Sequence, residues 1–134
     1  MDNVAYGLIQ AIHNLGAALA FGGAWAGRVV ARSGDSRSAT ALLWVLAAWF
    51  TQIVTGALFG AMSLYFYGRL PDIHGIALAA LVVKIACAAA GAVLAVVFWA
   101  HRGGGLSSPH RAWDALMALA VIALIAAALL RWFS

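Results

Sequence analysis

Polar residues in this chain come in bands. Between the bands lie four apolar runs, approximately Val4–Gly27, Ala39–Phe66, Ile76–Ala100 and Ala112–Phe133. Each reaches the roughly 20 residues that a helix needs to cross a hydrocarbon core of about 30 Å. The pattern predicts an all-α integral membrane protein with one transmembrane domain over 1–134. Three short connections separate the runs: Arg28 to Ser38, Tyr67 to Gly75 and His101 to Arg111. Connections this short make sequential helices antiparallel neighbours, which predicts an up-down-up-down four-helix bundle. Pro71 and Asp72 suit the start of the third helix, and Ser107-Ser108-Pro109 suits the start of the fourth. Gly23-x-x-x-Gly27 and Gly56-x-x-x-Gly60 are small-residue pairs that let helices approach closely in lipid.

Composition agrees. Of the 134 residues, 66% are hydrophobic and 9% charged, against about 45–50% and about 25% for a soluble domain. The net charge of +4 comes from eight Lys and Arg, most of them between apolar runs. That placement is a topology signal, and no nucleic-acid surface is read from it. Five arginines (Arg28, Arg32, Arg37, Arg102, Arg111) flank the first and third connections, against Arg69 and Arg131 elsewhere. The positive-inside rule therefore predicts both termini outside. Trp113 and Trp132 bracket the fourth run as interfacial anchors. Cys87 is the single cysteine, which excludes an internal disulfide and a Cys-rich metal site. Met1-Asp2-Asn3 lacks the cationic start of a cleaved signal peptide.

The polar residues inside the runs carry the candidate chemistry. In the predicted topology the first and third helices are parallel, and His13 and Lys84 fall roughly 12–14 Å below the same boundary at 1.5 Å per residue. Gln52 and Thr55 on the second helix come to a similar depth, and Asn14 adjoins His13. Ionisable groups at mid-membrane are costly and mark a site by default. His13 shares its helical face with Gly16, Ala17, Ala20 and Gly23, and Lys84 with Ala77, Ala80, Cys87, Ala88 and Gly91. Small residues beside an imidazole leave room for a close helix contact or for a flat ligand such as a porphyrin. Neutral imidazole is a good iron or copper ligand.

Structural readings stand beside these. For His13 the alternative to ligand binding is interhelical glue bonded to Gln52 or Asn14, and Gln52 and Thr55 read as packing polar groups. Lys84 is too deep to snorkel easily, so it needs an anion, a ligand or a neutral form. Cys87 suits a small buried apolar residue better than a metal ligand. His74 lies too far from Lys84 along the chain to share a metal with His13. His101 and His110 suit the headgroup region, with a shallow metal site as the alternative. Asp114, beside Arg111, reads as an interfacial ion pair, with a proton entry point as the alternative.

Gln10-Ala11-Ile12-His13-Asn14-Leu15-Gly16, followed by Gly22-Gly23-Ala24-Trp25 and Arg28, resembles the first helix of two related small membrane families. These are the HemJ-type protoporphyrinogen oxidases and the CopD-like copper-resistance membrane domain. Thr55-Gly56 resembles a Thr-Gly of the CopD-like pattern, and Val83-Lys84-Ile85 resembles the lysine-bearing third helix of both. The resemblance implies a bacterial cytoplasmic-membrane protein handling b-type haem, porphyrin or copper. It implies His13 as iron or metal ligand and Lys84 as the second essential, catalytic group; the shared depth adds Asn14, Gln52 and Thr55 as candidate cofactor-binding residues. The function expected is electron transfer or porphyrinogen oxidation by a haem-dependent oxidoreductase, with a quinone, a porphyrinogen or a membrane redox protein as partner. Two alternatives remain: a CopD-like copper permease using His13, Met62 and Cys87, and an accessory subunit of a larger respiratory or photosynthetic complex. A homo-oligomer is compatible with any of the three.

Overall fold

A computed structural model describes residues 2–33, 37–101 and 109–133. They form four helices: α1 (Asp2–Arg32), α2 (Arg37–Tyr67), α3 (Gly75–His101) and α4 (Pro109–Phe133). With 31, 31, 27 and 25 residues, they are about 38–46 Å long at 1.5 Å per residue. Each is long and apolar enough to cross a membrane.

The helices outrun the apolar segments that predict them, most of all α1, which continues through Arg28 and Arg32. Arginine is a good helix former, so the backbone propagates past the end of the hydrocarbon-matched run. α1 closes at Ser33, whose backbone N–H (3.1 Å) and hydroxyl (2.8 Å) both donate to the Val30 carbonyl. α2 ends on Gly68 at φ +65°, with its N–H donating to the Leu64 carbonyl at 3.0 Å. Only glycine takes that left-handed turn without steric cost. The third helix begins later than Pro71 and Asp72 suggest. It starts at Gly75 (φ +55°), and Pro71–His74 stay outside it.

The bundle is a ring in which α1 packs on α2 and α4, and α3 on α2 and α4. Among the described residues the diagonal partners, α1 with α3 and α2 with α4, have no Cα atoms within 8 Å. The apolar core draws on all four helices. It joins Ala20 and Ala24 of α1, Leu42, Val45 and Trp49 of α2, Ala95 and Phe98 of α3, and Trp113 and Leu116 of α4. Glycines make that density possible. A Cβ at Gly91 would lie 2.4 Å from the Trp49 indole, and one at Gly27 would lie 2.4 Å from Trp113. Gly23 meets Val45 instead, so the two glycines of the first small-residue pair serve different neighbours. Gly56 of the second pair faces open space. The Trp49 Nε1–H is buried there without an acceptor, a cost of about 1–3 kcal/mol that the packing of its ring offsets.

The outward faces are largely apolar, with Leu15 71%, Tyr65 82% and Trp132 83% exposed. In water such a surface would aggregate; in a bilayer it is the lipid contact.

Candidate functional site

Where the apolar core stops, buried polar side chains begin. His13, Thr55 and Gln52 are 5%, 4% and 9% exposed, and Lys84 is half-buried. The structure brings all four together.

The partners assign the proton positions. The Thr55 hydroxyl donates to the Thr51 carbonyl one turn back, at 2.5 Å. Its oxygen then accepts from His13 Nδ1–H at 2.6 Å. The Nε2 lone pair is left to accept from Lys84 Nζ, 2.9 Å away. Gln52 adds a fourth bond, its side-chain amide donating to the His13 backbone carbonyl at 2.6 Å. That amide also fills the space beside Gly16, where a Cβ would lie 2.8 Å from Gln52 Nε2. Backbone carbonyls in a helix have a second lone pair, so Thr51 and His13 accept these bonds without giving up their own helical ones.

Lys84 and His13 stand on diagonal helices, not on adjacent ones. At this level the α1–α3 diagonal is spanned by side chains alone. The four-carbon stem of lysine supplies the reach, and the small residues Ala77 and Ala80 on α3, both buried, give it room.

Asn14 is not brought to the other four. It is exposed and accepts from Gln10 Nε2 at 2.8 Å on the outer face of α1. One residue beyond His13 is about 100° around the helix, so the two neighbours cannot face the same interior. Asp114 also differs: it pairs with Arg28 of α1, not with Arg111. The Arg28 guanidinium engages the carboxylate through Nε to Oδ1 and through Nη2 to Oδ2, the second contact at 3.1 Å. His74 is exposed, 3.3 Å from Asp72, and His101 Nδ1 donates to the Val97 carbonyl at 2.9 Å. Cys87 is buried on α3.

Two aromatic residues escaped the sequence reading. Phe59 presents a T-shaped contact to the His13 imidazole at 5.7 Å, and Tyr6 stacks on Phe59 at 6.4 Å. Helical spacing carries the signal: Phe59 is one turn beyond Thr55, and Tyr6 is two turns before His13.

Both ring nitrogens of His13 have partners, Nδ1 on Thr55 and Nε2 on Lys84. A metal-binding imidazole characteristically has its other ring N–H fixed by a hydrogen bond, which Thr55 provides. Room for a flat macrocycle does not come from Gly16 or Gly91, both filled by the chain itself. No cluster of three His, Cys, Asp or Glu side chains suited to a metal ion exists among the described residues. Any iron or copper here would therefore rest on His13 with Lys84 or with an external ligand.

Comparison with protein-family models, with curated proteins and with solved structures finds no match.

Proposed function

We propose that this chain is a membrane-embedded b-type haem protein working in electron transfer or porphyrinogen oxidation, with His13 as the iron ligand. One observation carries the reading: a buried imidazole with Nδ1 anchored on Thr55 and its Nε2 lone pair aimed inward at Lys84. Haem, when bound, would supply one-electron chemistry at the iron. The chain's own residues hold and tune it. Thr55 fixes the tautomer and ring plane of His13. Gln52 holds the His13 backbone through its carbonyl. Lys84 would leave Nε2 and help to hold the group, either as a second ligand or by neutralising a propionate. The apolar surroundings exclude water.

In this reading the helices run up-down-up-down across a bacterial cytoplasmic membrane, with both termini outside. The arginine ends of α1 and α2 then face the cytoplasm. A quinone, a porphyrinogen or a membrane redox protein is the expected partner.

The test is a visible spectrum of the detergent-solubilised protein, oxidised and dithionite-reduced. A Soret band that sharpens on reduction is expected, lost in His13→Ala and shifted or retained in Lys84→Met. A protein purified after haem supplementation without any Soret absorbance sinks the proposal.

A second reading has its own observation. Both ring nitrogens and the backbone carbonyl of His13 are bonded within the chain, as an interhelical lock in an accessory subunit would be. Stoichiometric co-purification with a larger membrane complex, with no cofactor in this chain, selects that reading. Copper content without haem selects the CopD-like one.

A further inference from the structure

The seam between α2 and α3 changes character along its length. At one level it is closed, with the Trp49 indole so tight on Gly91 that a Cβ there would come within 2.4 Å. Seven residues after Trp49, two turns along the same side of α2, stands Gly56. It is exposed, and a Cβ there would meet nothing within 4 Å. Seven residues before Gly91 on α3 stands Lys84. Gly56 and Lys84 share a level. Passing from Trp49 to Thr55 on α2 means passing back from Gly91 to Lys84 on α3, because Thr55 and Lys84 meet on the His13 imidazole. The seam is therefore open beside the polar cluster, where Lys84 is only half-buried.

Lys84 lies nine residues beyond Gly75, the start of α3, or about 14 Å along the helix at 1.5 Å per residue. That is hydrocarbon depth. A lysine ammonium has three N–H donors, and among the described residues the His13 ring nitrogen is its only hydrogen-bond partner. The carboxylates of Asp114 and Asp72 are engaged elsewhere, on Arg28 and beside His74. An ionisable group at such depth calls for a partner, and donors left unfilled in hydrocarbon are costly. We propose that Lys84 takes the carboxyl group of an amphiphile that enters from the bilayer between α2 and α3, past Gly56. A phospholipid phosphate stays at the interface, outside the hydrocarbon core. A carboxyl group loses its charge on protonation and reaches this depth as the neutral acid. Its oxygens accept N–H bonds that His13 leaves unfilled, and its apolar body lies in the open seam, near the exposed Ile53 one turn before Gly56. Two sources carry that chemistry: a fatty acid of the membrane and the propionate of a porphyrin. The site shares Lys84 with the haem reading but stands without iron.

Native mass spectrometry of the full chain, released from dodecyl maltoside micelles holding equal amounts of oleic acid and methyl oleate, tests it. One oleic acid per chain is expected, retained roughly tenfold over the ester, which offers no charge to the ammonium. Lys84→Met should lower retention by roughly tenfold, while Lys84→Arg, which keeps charged donors, should preserve it. Gly56→Leu, which places a side chain in the opening, should lower it as well. A parallel arm with iron-free protoporphyrin and its dimethyl ester names the source. Protoporphyrin retained in place of oleic acid assigns the carboxyl group to a porphyrin, and oleic acid alone assigns it to a membrane fatty acid. Retention of neither acid overturns the proposal, as does equal retention of acid and ester. So does retention unchanged in Lys84→Met or in Gly56→Leu. Helical circular dichroism matching wild type excludes misfolding as the cause of a loss. If Lys84→Met fails to fold, the preference for acid over ester and the Gly56→Leu variant decide the matter. Oleic acid retained by a chain that shows no Soret band after haem supplementation sinks the haem reading alone.

Discussion

Lys84 Nζ and His13 Nε2 lie 2.9 Å apart, although their helices are diagonal in the bundle and share no Cα approach within 8 Å. The side chains alone make the α1–α3 connection there. Interhelical hydrogen bonds inside membranes average about 0.6 kcal/mol and reach about 1.7 kcal/mol. His13→Phe and Lys84→Met, singly and together, should therefore show a coupling of about 0.5–2 kcal/mol in detergent unfolding. Additive losses, within about 0.3 kcal/mol, would show that the two groups do not interact in the folded protein.

Thr55 determines which ring nitrogen of His13 carries the proton. Thr55→Val keeps the shape but removes the acceptor for Nδ1–H, leaving a buried donor unpaired at a cost of about 1–3 kcal/mol. Thr55→Ser keeps the hydroxyl and should restore most of that stability. In a haem-loaded protein the same pair should separate in reduction potential, Thr55→Val departing from wild type and Thr55→Ser staying near it. Equal behaviour of the two variants in both measurements would remove the positioning role.

Glycines divide by what faces them. Gly91→Ala and Gly27→Ala drive a methyl to within 2.4 Å of Trp49 and Trp113. Both rings are 1% exposed, so neither can step aside cheaply, and a loss of about 1–3 kcal/mol is expected for each. Gly56→Ala has open space and a helical backbone, and should stabilise by about 0.4–1 kcal/mol. Thermal unfolding in one detergent ranks the three variants. A Gly91→Ala protein as stable as Gly56→Ala would contradict the tight α2–α3 packing at Trp49.

Arg28 and Asp114 clamp α1 to α4 through two hydrogen bonds. Arg28→Gln and Asp114→Asn should each lower stability, and the double variant should lose less than their sum, because neither charge is then stranded. The exposure of both side chains, 25% and 46%, keeps the effect small and sensitive to salt. Independence from ionic strength would argue against an ion pair.

Hydrophobicity alone determined the helices. Long apolar runs must satisfy every backbone N–H and C=O internally in lipid, so the four spans, their approximate limits and the all-α class were legible residue by residue. Depth was legible as well, since a fixed rise per residue puts His13, Gln52, Thr55 and Lys84 near one level. Direction around each helix was not. Asn14 shares the depth of His13 but faces outward, and Gly56 repeats the motif of Gly23 without a neighbour. Which faces meet depends on how four helices rotate and pack together, and apolar residues all round each helix leave that rotation unspecified in the sequence. The tertiary structure decided it through a few steric and polar matches: Trp49 over Gly91, Trp113 over Gly27, Arg28 on Asp114, and the diagonal reach of Lys84 to a single imidazole.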